Sequence, residues 1–429
     1  MESEAYRHHR YNFRLGVLNG TMFVFGVSFM HPVTIIPNFV LQFTDSKVLV
    51  GLSSVLHVGG WCLPQILAAG YVESLRRKKP LYVIGNSVRL LLTALALVSI
   101  FYFYASRPLL GLGLFMAIYG VAHLCGGVAG LAYMEMAGAM IPPHRRGAYF
   151  SYRFLFGGSI LTVLAGFIIK EVLKDQERFP FPFNYELLFG LGWLMMAVGV
   201  GLFCLTRETP AEVLPEQRSF RSRLYELPGL LRSDSRLSRI VVNRLFGTFS
   251  RMSWPFFIVF ALEDVGLKVE VVGTFLIVQT VGGFMGNIMW GKVSTLRGNR
   301  AVVRLSSAFE IAVPLYAALI GAWLMKYGKD LDPTGLSLAL MPIFFILGAG
   351  VHGAHIGTMS FVLDIAPVER RPTYIGIVNT TMGFATIPSL LIGGLIAELI
   401  GFLWVFILSA LCALGGFVQA AALPEDGSL

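Results

Sequence analysis

Charge is what this sequence has least of. Of 429 residues only 14% are Asp, Glu, Lys or Arg, against 55% hydrophobic residues and a mean hydropathy of +0.69, where a soluble domain carries about a quarter charged residues. The shortage excludes an ordinary water-soluble globule and places the chain in lipid. Cysteine is also sparse: Cys62, Cys125, Cys204 and Cys412 each sit alone in an apolar run, with no CxxC pair and no His at ligand spacing. That pattern argues against a disulfide framework or a zinc site and for small packing residues. Glycine-rich stretches such as CGGVAG and VGGFMGN lack the strand-to-helix setting of a phosphate loop. With no nucleotide motif and no nucleophile placed beside a base, neither an enzyme nor an ATP-driven pump is expected, and no cofactor or metal.

What the chain has is long apolar runs, each near the 20 residues that a helix needs to cross a hydrocarbon core of about 30 Å. Twelve spans are predicted, at 12–38, 48–72, 81–104, 109–136, 148–172, 184–206, 239–262, 270–293, 301–325, 335–364, 373–398 and 401–422. They read as helices, because unpaired backbone cannot face lipid and the runs are too long and uniform for barrel strands. The polar start MESEAYRHHRYNFR leads into the first run without a cleavage site, so that helix is expected to be kept. The N-terminus, ESLRRKKP (73–80), residues 142–147, KVSTLRGNRAVVR (292–304) and the connection 207–239 are rich in Lys and Arg, whereas the alternate loops are balanced or acidic. The positive-inside rule then puts both termini in the cytoplasm, in the plasma (inner) membrane. The net charge of +9 follows those loops and suits anionic headgroups, so a nucleic-acid partner gains no support.

The stretch 207–239 is the one evident boundary, with seven Arg, five acidic residues and proline breaks at Pro210, Pro215 and Pro228. It predicts an N-terminal six-helix bundle at 1–206, a cytoplasmic linker at 207–238 and a C-terminal bundle at 239–429. Phe220, Leu224, Leu227 and Leu231 follow helical spacing within it and suggest an interfacial helix or a regulatory segment. The halves resemble each other. PPHRRGAY (142–149) returns as PVERRPTY (367–374) after 225 residues, Gly70 with RRKK returns as Gly291 with RGNR after 221, and Gly51 and Gly60 return as Gly273 and Gly282 after 222. Duplicated halves with a mid-membrane solute site are a hallmark of secondary transporters.

Twelve spans in a 6+6 repeat, a Gly and basic cluster between spans 2 and 3, and an RRG turn between spans 4 and 5 together resemble the major facilitator superfamily. GWCLPQILAAG and VLDIAPVERRPTYIGIVNT further resemble a bacterial subgroup of it. Against the superfamily signature, Gly70, Lys78 and Lys79 fit, with Ser74 at the Asp position and Arg77 at the second Gly. In the second half Gly291, Gly298 and Arg300 fit, with Thr295 at the Asp position. Span 5 carries FGGS at 156–159 and none of the Gly-Pro signature of drug antiporters. The resemblance implies an all-α membrane protein of two pseudo-symmetric bundles, active as a monomer, whose cavity is lined by spans 1, 4, 7 and 10.

Polar groups inside spans are costly and invite a functional reading. The cavity and coupling candidates are His31, His123, Glu135, Arg251, His352, His355 and Asp364. His352 and His355 share a helical face and either couple protons or bridge helices. Glu135 and Asp364, at equivalent helix ends, either carry protons or latch onto Arg145, Arg146, Arg153, Arg370 and Arg371 as a cytoplasmic gate with Gly70, Gly291 and Arg300. Arg251 reads as an anion ligand or as the partner of an acid; Arg244 is expected at the interface. Arg89 and Glu310 occupy equivalent places in spans 3 and 9, with opposite charge, and are expected to serve structure or to snorkel. The expectation is a secondary active transporter that moves a small solute by alternating access, coupled to protons. The competing expectation is a non-transporting protein on the same scaffold, a lipid scramblase or a receptor.

Overall fold

The computed structural model describes residues 8–208, 229–328, 331–366 and 371–423, and all regular structure among them is helical. Before the linker come α1 (His9–Ser28), α2 (Ile35–Leu41), α3 (Lys47–Ser74), α4 (Lys79–Phe103), α5 (Pro108–Met140), α6 (Pro143–Leu155), α7 (Thr162–Lys174) and α8 (Phe183–Cys204). After it come α9 (Ser235–Ser250), α10 (Trp254–Glu263), α11 (Val271–Tyr327), α12 (Pro333–Ile365), α13 (Arg371–Ile400) and α14 (Phe402–Ala421). Residues 209–228, most of the predicted linker with Phe220, Leu224 and Leu227, lie outside the described residues, as does Arg370.

Ten described segments are long and apolar enough to cross a membrane, and two local features account for the difference from twelve. α11 runs through both the eighth and the ninth predicted spans, and its two helices meet at Gly298, with φ 75° and ψ 171°. That backbone conformation is one an L side chain rarely holds, so glycine is what lets the chain change direction there. The first predicted span is divided between α1 and α2, and α1, carrying His9, Arg10, Asn12, Arg14 and Asn19, is too polar to qualify alone.

Breaks inside spans also have identifiable causes. Span 5 has no proline, yet between α6 and α7 it opens into a π-turn at Phe156–Leu161, where Thr162 donates to the Gly157 carbonyl at 2.8 Å. Span 7 is interrupted by a 3₁₀ turn at Arg251–Ser253, followed by Pro255 in the first turn of α10, where the missing N–H leaves no bond unmade. The interruption falls at Arg251, one of the sequence-predicted site residues.

Contacts divide the chain into two compact units. The first holds the described residues up to Ile35 and those from Leu56 to 208; the second holds Ile36–Val55 and the described residues from 229 onward. In the first unit α1 is tied to α8, with the Asn19 amide donating to the Gly199 carbonyl at 2.9 Å. Asn12 and Arg207 exchange two bonds of 2.9 Å through the Asn12 amide and the Arg207 backbone. In the second unit Asp234 caps α9, accepting from the Arg236 and Leu237 backbone amides while its other oxygen accepts from the Tyr374 hydroxyl at 2.8 Å. Residues 36–55 join this unit through polar contacts as well as packing. Lys47 forms an ion pair with Glu263 at the end of α10, and Glu398 in α13 accepts from the Ser46 hydroxyl at 2.9 Å and the Val48 amide at 3.3 Å. Next to this corner, partial burial and then the neighbouring Glu263 push the Asp264 carboxyl above its ordinary range, against the pull of Lys47.

Candidate functional site: a charged cavity in each unit

The first unit encloses a small cavity between α1, α3, α4, α5 and α8, where His57, Arg89, Thr93, Tyr119 and His123 meet the apolar Val27, Met30 and Met196. Arg89 is 5% exposed and lies over the faces of Phe23, at 5.1 Å, and Trp61, at 5.6 Å. Each such contact is worth about 0.5–2 kcal/mol, less than the several kcal/mol it costs to strip an ion of water. Its Nη1 has no hydrogen-bond partner, and no carboxylate among the described residues pairs with it. The guanidinium fits because residue 126 is glycine: a Cβ there would sit 3.0 Å from both Cδ and Nη1 of Arg89.

His123, 4% exposed, donates from Nδ1 to the Tyr119 carbonyl at 2.9 Å. A carbonyl only accepts, so the neutral ring carries its lone pair on Nε2, which is buried without a partner. The Tyr119 hydroxyl is 2.6 Å from Nδ1 of His57, and the His123 ring lies 4.1 Å from that of Tyr119 and 4.4 Å from that of His57. His31 is within electrostatic range of His57 and bonds the Thr34 hydroxyl through Nδ1 at 3.1 Å.

The second unit holds a cavity walled by Ser250, Arg251, Trp254 and Glu310 among apolar neighbours. One carboxylate oxygen serves two cations: Oε1 of Glu310 is 3.1 Å from Nη2 of Arg244 and 3.4 Å from Nη2 of Arg251. Arg244 is 1% exposed, Arg251 also lies over Trp254 at 4.9 Å, and the Nε of each arginine has no partner. Gly247 makes room for the pair, since a Cβ there would come within 3.0 Å of Oε2 of Glu310. His355 lies within electrostatic range of both arginines. Two positive charges on one negative leave this cluster, like the other, with an excess of positive charge.

The cavities are related by the repeat. Arg251 and Trp254 stand 224 residues after Val27 and Met30, Glu310 stands 221 after Arg89, and Leu347 and Val351 stand 228 after Tyr119 and His123. The lining positions correspond in order between the halves while the charges differ.

Several sequence expectations are corrected by this geometry. Of the two readings for Arg89 and Glu310, a structural role or snorkelling, the second is set aside: both point into the interior of their own bundles. On α4 it is Ile84, Val88, Leu91, Leu95 and Val98, at alternating steps of four and three, that are exposed instead. Turning the apolar stripe outward spares the charge a place in hydrocarbon. Arg244, expected at the interface, is buried because Glu310 holds it. Among the described residues, Glu135 and Asp364 form no ion pair with Arg145, Arg146 or Arg153, and the Arg370 and Arg371 side chains lie outside what is described. Arg146 donates to the Gly138 and Ile141 carbonyls at the end of α5, and Arg145 is exposed over Phe13. Arg153 donates to the Gly16 carbonyl, the Asn19 amide oxygen and the Tyr149 hydroxyl. These arginines satisfy backbone and neutral groups near at hand, while Glu135 is exposed and Asp364 accepts from Asn299 at 2.7 Å.

Gly70 lies in α3 and Gly291 and Arg300 in α11, with open space around Gly291; Arg371 begins α13. His352 is half-buried against Gly283 and His355 is exposed. Thus His123 comes together with Arg89, with His31 beyond His57, and Arg251 with Glu310, while Glu135 and Asp364 stand apart. His57 and Tyr119 were not among the sequence candidates; His57 was nonetheless visible as an ionisable group inside the second apolar run.

A buried charge cluster in each of two apolar helical units defines a multi-pass membrane protein with a duplicated interior. Residues 240–427 match the family model of the Major Facilitator Superfamily. Uncharacterized proteins of Mycobacterium bovis and Mycobacterium tuberculosis are 22% identical over 299 residues, 68% of this chain and 55% of theirs, so the chain spans about half the length of these curated relatives. Among solved structures, a POT family transporter in complex with 5-aminolevulinic acid has a TM-score of 0.70 at 13% identity, over 96% of each chain. The nucleoside transporter NupG has a TM-score of 0.68 at 15% identity, over 96% of this chain and all of the other. At such identities the likeness is one of fold.

Proposed function

We propose that the protein is a secondary active transporter that moves a small solute by alternating access, coupled to protons, in the plasma membrane with both termini cytoplasmic. The observation that carries the reading is the pair of repeat-related cavities, each holding a buried arginine whose charge is not fully matched. Protein interiors bury uncompensated charge only at a cost, and inside membranes such residues mark solute and ion pathways. The superfamily and the fold of the structural neighbours support transport as the use of that charge. The solute is not ATP-driven on this reading, since no described element forms a phosphate loop.

The test is flux in proteoliposomes across sugars, amino acids, organic anions and cationic drugs, with a pH gradient imposed. Accumulation above the external concentration, abolished by a protonophore, is the expected result. Absence of flux for every class, with ligand binding or lipid movement retained, would transfer the protein to the receptor or scramblase reading.

A further inference from the structure

We propose that the first unit's cavity takes up one small monovalent anion together with one proton, the anion on Arg89 and the proton on Nε2 of His123. The inference deepens the transporter reading and rests on it for its biological meaning, because it makes the solute a small anion. Arg89 can only donate, and its buried Nη1–H has no acceptor. His123 has its one neutral-state N–H committed to the Tyr119 carbonyl, so what it turns to the cavity is an unsatisfied lone pair. A water molecule could bridge the two, but it would leave the Arg89 charge without a counter-ion in a site that no carboxylate of the described residues lines.

An anion supplies that charge and accepts from Arg89, but it is repelled by the lone pair on Nε2. A proton from solution on Nε2 removes the repulsion and turns His123 into a second donor. Without the anion, the same proton would place a second cation beside Arg89. Anion and proton therefore favour each other at this site, which is thermodynamic coupling by linkage. No covalent bond in the anion forms or breaks. The groups that face His123 are consistent with this. From α3 comes His57, from α4 Arg89, and from its own helix the Tyr119 hydroxyl, which is engaged with His57; Val27 of α1, Met30 just beyond it and Met196 of α8 complete the lining. His31 adds a further ionisable ring beyond His57. None of these carries negative charge at neutral pH. The space between them is about that of one water-sized group, so a halide fits closely and a carboxylate enters only if the lining side chains give way.

The experiment uses the purified full-length chain in detergent, in weak buffer with a pH indicator, titrated with sodium chloride and with sodium acetate against sodium gluconate. The expected result is saturable uptake of about one proton per chain with chloride or acetate and none with gluconate. Half-saturation should shift to about tenfold lower anion concentration per pH unit of acidification, as obligatory uptake of one proton requires. His123→Gln should bind anion more weakly with no proton uptake and no pH dependence, and Arg89→Gln should lose binding. Arg89→Lys, which keeps the charge, should bind at least tenfold more weakly, and circular dichroism checks that each variant is folded. Should the variants fail to fold, the wild-type proton count and pH slope decide alone. Absence of binding for both anions, or binding without proton uptake, overturns the proposal. Proton-linked binding without flux in vesicles would contradict the transport reading only, whereas flux of neutral or cationic solutes with no anion binding would contradict this inference only.

Discussion

At the scale of single residues, buried charge is the most informative feature. Glu310 offsets Arg244 and Arg251 together, so Glu310→Gln should leave two cations in the second bundle without a carboxylate. Breaking a buried pair from one side costs about 3–5 kcal/mol, and replacing both sides with apolar groups costs far less. Thermal unfolding in detergent should therefore show a large fall in apparent midpoint for Glu310→Gln and partial recovery when Arg244→Leu is added; equal midpoints for the two variants would show that Arg244 does not depend on Glu310. Gly247→Ala tests the same cluster sterically, by crowding Oε2 of Glu310, and should lower the midpoint by less than Glu310→Gln. The sequence exposed these residues as polar groups in apolar runs, and Arg251 and His123 were legible in that way. Their partners were not: Arg244 and Glu310 are 66 residues apart, and only the packing of α9 against α11 joins them. His57 lies in the second apolar run, outside spans 1, 4, 7 and 10, and reaches the cavity from α3.

At the scale of elements, the apolar runs were legible because crossing a bilayer imposes a length and a composition that few other structures share. The breaks inside them were harder to foresee. Pro255 in the sequence marks the interruption at Arg251, but the π-turn at Phe156–Leu161 contains no proline to announce it. Gly298 was legible as a match to the superfamily signature; its conformation explains why the residue matters. Gly298→Ala should destabilise by roughly 1–3 kcal/mol, because the variant must hold a positive φ, and a midpoint unchanged from wild type would show that the turn can relax. Asp234→Ala removes the α9 cap and the Tyr374 contact together. A loss of about 1–2 kcal/mol is expected, typical of a helix cap, and Tyr374→Phe should reproduce only part of it in the same unfolding measurement.

At the scale of the molecule, three anchors in the same order at nearly one offset relate the two halves of the sequence, and similar offsets relate the residues that line the two cavities. What the sequence did not disclose is that residues 36–55 belong with the second compact unit, through Lys47, Ser46 and Val48. Those contacts depend on where Glu263 and Glu398 end up, which no local pattern encodes. Nor did the sequence show that Arg146 and Arg153, read as parts of a latch, satisfy nearby carbonyls and a hydroxyl. The difference in charge between the cavities has a functional corollary: a transporter that used both would treat an anion differently in each half. Arg251→Lys should therefore change the apparent solute affinity without changing the pH dependence, which the account assigns to His123 in the first unit.

The measurement that tests the central claim most directly is accumulation of a labelled small anion such as acetate or chloride in proteoliposomes under an imposed pH gradient, compared with protein-free vesicles. The account predicts protein-dependent accumulation above the external concentration that collapses when a protonophore removes the gradient. Uptake equal to that of empty vesicles, or protein-dependent uptake unaffected by the gradient, would contradict it.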